Sequence, residues 1–244
     1  MFTPLRNLVT GMRQDSTEKS AGEAYDLWAS SYDRQPGNLM LDLDELICSA
    51  LLDGLQVEGR VVADIGCGTG RHWPKIWSKR PASLTGFDIS EKMLEQLERK
   101  FPGSMTRKID DNLFSDEPAG YYDLLISTLT VAHICNLAEA FAGWARILKP
   151  RGELIITDFH PELLKRGGKR TFTAGGRQVS VLNWVHPIEE VISLLQHLGF
   201  HLEMTVERQI DEQVRHYYEN KKALRIFEKF RGSPVIYGMH WRKS

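Results

Sequence analysis

Cysteine is scarce in this chain. Its 244 residues hold only Cys48, Cys67 and Cys135, an odd number at wide spacing, which excludes a disulfide framework and leaves no pair close enough for a zinc knuckle. No metal site is expected, and a reducing cytoplasm is the expected compartment. No run of about eighteen apolar residues occurs, so no membrane span is expected. Charge of one sign is missing too: 31 Lys and Arg stand against 32 Asp and Glu, a formal net charge of -1. That balance removes the whole-molecule field that would gather nucleic acid or anionic lipid, and neither is expected as a partner. Residues 1–20 carry Arg6 and Arg13 but no long apolar core and no small-residue cleavage site. They read as a flexible tail, not a signal peptide.

What is present fits a globular chain with a full core: 42% hydrophobic and 26% charged residues. From about Val61 onward, short apolar runs alternate with amphipathic stretches. VVADIG (61–66), SLTGFDI (83–89), YDLLISTL (122–129) and ELIITDF (153–159) have strand length and composition. Between them, EKMLEQLERK (91–100) and LAEAFAGWARIL (137–148) repeat apolar residues every three or four positions, as helices do. This alternation implies a mainly parallel sheet with helices on both faces. AYDLWASSYD (24–33) and LDLDELICSALL (41–52) predict two helices before it. Residues 161–185 read as irregular, punctuated by Gly167, Gly168, Gly175 and Gly176. A helix over 188–198, a strand over 200–209, a basic helix over 214–230 and a strand over 235–241 complete the chain. The simplest organisation is one domain over 21–244, with a helical cap at 21–55 and an insertion at 161–186.

The most informative segment is VVADIGCGTGRHW (61–73). A buried strand ends at Ile65, and Gly66, Gly68 and Gly70 let the backbone turn tightly and approach a ligand before a helix whose free amides face it. A dinucleotide fingerprint needs a third glycine at the position of Arg71. Asp64 would also repel a pyrophosphate there, whereas its carboxylate suits a cationic amino acid moiety or the amides that hold one. Asp88, at the end of the next strand, can accept hydrogen bonds from a ribose hydroxyl pair of either nucleotide.

The ordered set YDLWASSYD (25–33), DIGCGTG (64–70), GFDISEKML (86–94), YDLLISTLTVAHI (122–134) and ILKPRGELIITDF (147–159) resembles the class I methyltransferases dependent on S-adenosylmethionine (SAM). The likeness is to their small-molecule branch, often called type 11 or 25. It implies a Rossmann-like, doubly wound α/β fold: a seven-stranded sheet, mainly parallel, with an antiparallel last strand and the cofactor across the carboxyl ends. It implies SAM as methyl donor and S-adenosylhomocysteine (SAH) as product. Carried over by position, Gly66, Cys67, Gly68 and Gly70 line the methionine part, and Asp64 holds that end. Asp88 takes the ribose hydroxyls, while Ile89 and Met93 press on the adenine. Asp110 or Asp111, beside Asn112, contacts its amino group. Thr128 and Leu129 follow the fourth strand, and Tyr25 or Tyr32 closes over the cofactor. Trp28, at helical spacing from both, is expected in the core.

Two histidines are candidate catalytic groups. His133 follows the fourth strand, where the family brings the acceptor near the donor, and His160 lies just beyond the fifth; either is equally readable as a structural residue. His72 is expected at a first helical turn, capping or solvated. His133 and Cys135 alone make no metal site. SAM is an activated donor, so the expected reaction is in-line displacement driven by orientation, and the acceptor atom is not encoded. The motif that marks base amino-group methylation is absent from STLTVAHI (127–134). The expected acceptor is a small molecule bearing a negative or strongly polar group. LLKRGGKRTFTAGGRQVS (163–180) holds Lys165, Arg166, Lys169, Arg170 and Arg177 and no acid, at the cofactor edge of the sheet. An RNA or protein methyltransferase and a non-catalytic SAM binder are the competing readings.

Overall fold

The structure, a computed structural model, describes residues 17–244, with Thr17 described by its backbone alone. Residues 1–16 of the expected tail lie outside the described residues. Thr17–Lys19, which that tail includes, instead form a short strand, β1. Helices α1 (Ala21–Trp28) and α2 (Leu39–Asp53) follow, with a 3-10 turn at Ala29–Ser31 between them. Glu23 accepts from the Ser20 amide at the start of α1, and Asn38 accepts from the Met40 and Leu41 amides at the start of α2. Both are N-terminal devices that satisfy otherwise orphaned donors.

The alternating core comes next: β2 (Val61–Ile65), α3 (Trp73–Ser78), β3 (Ser83–Asp88), α4 (Glu91–Lys100), β4 (Met105–Lys108), β5 (Tyr122–Thr128), α5 (Leu137–Ile147) and β6 (Leu148–Phe159). The insertion holds α6 (Pro161–Lys165), β7 (Thr171–Ala174) and β8 (Arg177–Val181). Then come α7 (Ile188–His197), β9 (Phe200–Gln209), α8 (Arg215–Glu219), α9 (Leu224–Phe230) and β10 (Pro234–Lys243). The basic helix expected over 214–230 is two short helices, because the chain breaks between them and Lys222 takes a left-handed φ of 54°.

The main sheet has the order β4-β3-β2-β5-β6-β10-β9. Its first five strands pair in parallel, and β10 runs antiparallel to both β6 and β9. The antiparallel strand is thus the last in the chain but an inner one in the sheet. Successive residues of a strand point to opposite faces. Val62, Leu124 and Ile155 therefore pack under α2, α3 and α4, while Ala63, Leu125 and Ile156 pack under α5 and α7. All six are fully buried, and each large aliphatic among them stabilises the fold by about 1.5–3 kcal/mol.

The insertion is ordered, not irregular. β7 and β8 form a hairpin in which Ala174 faces Arg177 across Gly175 and Gly176, both at positive φ (55° and 76°). Two such residues are what the favoured two-residue hairpin turn requires. β1 pairs in parallel with β8, making a second sheet of order β1-β8-β7. This sheet packs on α1 through Phe172, Val179 and Val181 against Ala24 and Trp28. The Trp28 ring stacks on Phe172 at 4.4 Å between centroids, 6° from coplanar. Trp28 is a core residue of this small layer, and the layer roofs the carboxyl edge of the main sheet.

Candidate active site

Under that roof lies a cleft lined by the end of β2, the end of β3, the loop after β5 and Arg170. Its floor begins where β2 ends. The Gly66 and Cys67 amides both donate to Phe87 O, at 2.7 and 3.0 Å, which folds the turn over the end of β3. Gly66 sits at φ +72°, and a Cβ there would lie 2.1 Å from Thr130 Oγ1, so only glycine fits. Gly66 and Gly68 line the cleft. Gly70 does not; it faces Leu97, Phe101 and Trp73 behind the turn. Cys67 is also behind it, its Sγ against Gly86.

Asp88 lines the cleft with both oxygens engaged: Oδ2 accepts from the Gly68 amide and Oδ1 from the Ser90 amide, each at 2.8 Å. Burial pushes its pKa up to about 6 against the pull of these amides. Asp64 lies deeper. Its Oδ2 accepts from Trp73 Nε1 at 2.9 Å, and it is 3% exposed and outside the cleft lining. Burial raises it to about 6 as well. The side chain expected to hold the methionine end thus braces the glycine turn from beneath, because its position inside β2 directs it into the helix layer.

At the outer end of the cleft are Ile89, Met93, Asp110, Asp111 and Asn112. Asp110 pairs with Lys108 at 2.7 Å, and Asp111 accepts from the Leu113 amide at 2.8 Å. Both aspartates line the cleft, so the two alternatives for adenine stay side by side.

The other end is built by β5, α1 and the insertion. Thr128 and Leu129 line it; Leu129 holds a left-handed φ of 53°, an uncommon strain for a bulky residue. His133 lines it as well, with both ring nitrogens committed. Nδ1 lies 3.1 Å from Leu182 O and Nε2 lies 2.9 Å from Tyr25 Oη. A carbonyl only accepts, so Nδ1 carries the proton and Nε2 accepts from the tyrosine. Burial, then the nearby Arg170 charge, push the His133 pKa down to about 3.

His160, the second candidate catalytic group, is not in the cleft. It caps α6, where Nδ1 accepts from the Glu162 amide at 3.2 Å, and its Nε2 is 3.7 Å from Glu207. Pro161 opens that helix and turns His160 into its cap. His72 stands at the N-cap position of α3 without a side-chain cap bond, and it is not solvated: it is buried, and its Nε2 contacts Asp44 at 2.8 Å. Among the described residues, no three His, Cys, Asp or Glu side chains group as a metal site, and no helix is long and apolar enough to cross a membrane.

Arg170 was legible only as one of five charges in the insertion. The structure separates it from them. Lys165 pairs with Glu162, Lys169 with Glu18, and Arg166 donates to Ser233 Oγ. Arg170 instead turns into the cleft beside Tyr32, donating to Tyr32 Oη at 2.9 Å and to Leu129 O at 3.4 Å. What could have singled it out from the other four is the spacing of Tyr25, Trp28 and Tyr32, an aromatic stripe with no named partner.

An open α/β sheet with a glycine turn and a cleft at its carboxyl edge is the arrangement in which such sheets bind nucleotide cofactors. Residues 63–156 match the family model described as a methyltransferase domain. An uncharacterised methyltransferase of Emericella nidulans is 28% identical over 239 residues, covering 79% of this chain and 82% of that protein. The next two curated relatives are spanned over only 51% and 44% of their length. A SAM-dependent methyltransferase from Mesorhizobium loti superposes with a TM-score of 0.62 at 20% identity, over 80% of this chain and 96% of that one. A [4+2]-cyclase superposes at 0.65 with 16% identity, over 94% and 99%. Over residues 63–156 the chain is similar to methyltransferase domains, and its fold is that of SAM-dependent methyltransferases; that likeness implies SAM as the cofactor.

Proposed function

We propose that this protein transfers the methyl group of SAM to a small-molecule acceptor by in-line displacement, releasing SAH. One observation carries the cofactor assignment: Asp88 fixes the glycine turn through Gly68 and still faces the cleft. A carboxylate has about four lone-pair sites; two hold backbone amides, which leaves two for a ribose hydroxyl pair. A Cβ at Gly68 would meet nothing within 4 Å, so the glycine keeps a bay open where a ligand backbone can lie. Ile89 and Met93 supply apolar walls for adenine, with Asp110, Asp111 and Asn112 at its polar edge. Asp64 acts through Trp73 and the turn. When bound, the cofactor supplies an electrophilic methyl on a sulfonium. The protein's task is to align the nucleophile and exclude water, effects worth up to about 7–11 kcal/mol in favourable cases.

The roof argues for a small acceptor. The β1-β8-β7 layer packs on α1, and Tyr25, Tyr32 and Arg170 line this end of the cleft, a partial cover that supports the small-molecule reading. The competing reading is a reaction other than methyl transfer on the same scaffold, and the likeness to a [4+2]-cyclase is the observation that favours it. Calorimetry with SAM, SAH and NAD tests the cofactor: binding of NAD without SAM overturns the assignment. Methyl-labelled SAM incubated with separate small-molecule, protein and RNA fractions tests the acceptor. Label appearing only in macromolecules overturns the small-molecule reading.

A further inference from the structure

At the roofed end of the cleft lies a cation that, among the described residues, makes no ion pair with a carboxylate. Arg170 is 6% exposed and lines the cleft. Its guanidinium carbon lies 5.3 Å from the Tyr25 ring centroid, 5.6 Å from Trp28, 6.0 Å from Tyr32 and 5.6 Å from Phe159. No carboxylate of the described residues is hydrogen-bonded to it. Asp158, the acid nearby, accepts from the Ala132 and Phe159 amides and reaches Arg170 only through its charge, with no hydrogen bond to it. Burying an unpaired guanidinium is costly, and aromatic faces return only part of that cost. Of its five N–H donors, two are used, on Tyr32 and Leu129. The Tyr32 hydroxyl accepts from Arg170 and so keeps its own proton to donate. A second cation, the sulfonium of a bound donor, would repel Arg170 unless an anion stood in the same end of the cleft.

Resting on the methyltransferase reading, we propose that Arg170 and Tyr32 hold a carboxylate of the acceptor and that this carboxylate oxygen is the atom methylated. The oxygen–carbon bond forms as the carbon–sulfur bond breaks. The sulfur keeps the electron pair as a neutral thioether, and the product is a methyl ester. No proton moves. That balance matches the site: His133, the one imidazole of the described residues in the cleft, has Nδ1 committed to Leu182 and Nε2 to Tyr25, so no free imidazole among the described residues faces this end.

Calorimetry on the SAH-saturated protein, with benzoate and benzamide as probes, tests the subsite. Benzoate should bind and benzamide should not. Arg170→Gln should weaken benzoate roughly tenfold or more, as loss of charge-assisted hydrogen bonds requires, while Arg170→Lys keeps part of the binding. Should Arg170→Gln fail to fold, Tyr32→Phe carries the same test with a smaller loss. Equal binding of acid and amide, or benzoate affinity unchanged in these variants, overturns the subsite. Absence of SAH binding in the wild type would instead overturn the methyltransferase reading itself. Products formed from methyl-labelled SAM and an acidic metabolite fraction identify the atom: an ester releases the label as volatile methanol in mild alkali, and label that survives alkali overturns carboxylate methylation.

Discussion

Tyr25 Oη donates to His133 Nε2 across 2.9 Å, joining the first helix of the described chain to the loop after the fifth strand. The same imidazole donates from Nδ1 to Leu182 O at 3.1 Å, so one side chain ties the cap, the loop and the exit of the insertion together. With a pKa near 3, His133 is neutral from pH 6 to 9. Its expected role is to position Tyr25 and the roof. His133→Ala should lower kcat while the pH–rate profile over pH 6 to 9 keeps the wild-type shape. A limb in that range that vanishes in the variant would make His133 the general base after all.

Asp88 is expected to carry ribose recognition. Asp88→Ala should weaken SAH by about 1–3 kcal/mol, the cost of losing charge-assisted hydrogen bonds and of releasing the Gly68 amide. Titration calorimetry reads this directly. An affinity equal to wild type would remove Asp88 from the binding site.

How much of this was written in the sequence depends on how local the cause is. The glycine turn and Asp88 were legible because a strand end, a tight turn and a helix start are set by neighbours in sequence. Met105–Lys108 was not, because an edge strand carries no continuous apolar run: MTRK is mostly exposed. The insertion looked irregular because its hydrophobic residues are few, and Phe172, Val179 and Val181 gain their meaning only against α1. Arg170 and His160 could not be told apart in the sequence for one reason. Sequence order put both near the cofactor edge, but long-range packing turned Arg170 inward, while a local proline made His160 a helix cap.

Arg71, which occupies the place of a third fingerprint glycine, anchors the cap helix α2. Its guanidinium and His72 both contact the fully buried Asp44, which also accepts from Thr157 Oγ1. Removing that carboxylate leaves the half-buried Arg71 and the buried His72 with only the partly exposed Glu45 as acid partner. Asp44→Ala should cost roughly 3–5 kcal/mol in urea unfolding, the loss typical for breaking a buried pair from one side. A loss below about 1 kcal/mol, the range of exposed ion pairs, would show that the network is solvated in solution.

Asp64 gives a pH signature in the ligand-free protein. Burial raises its folded pKa to about 6, above the unfolded carboxylate range near 4. Between those values the native state holds the proton more tightly than the unfolded chain, so the group's contribution is fully present below about pH 4 and is lost as pH rises toward 6. Asp64→Asn cannot ionise, and its amide oxygen can still accept from Trp73 Nε1. The variant should therefore gain stability relative to wild type as pH rises from about 4 to 7. The upper bound is about 2–3 kcal/mol for a shift of two units. Paired denaturant titrations at pH 4.5 and 7.5 measure it, each difference taken between variant and wild type so that other titrating groups cancel. A difference that stays constant, or that moves in favour of the wild type at pH 7.5, would mean that Asp64 is ionised in the folded protein at little cost and that the turn is not braced by a protonated carboxyl.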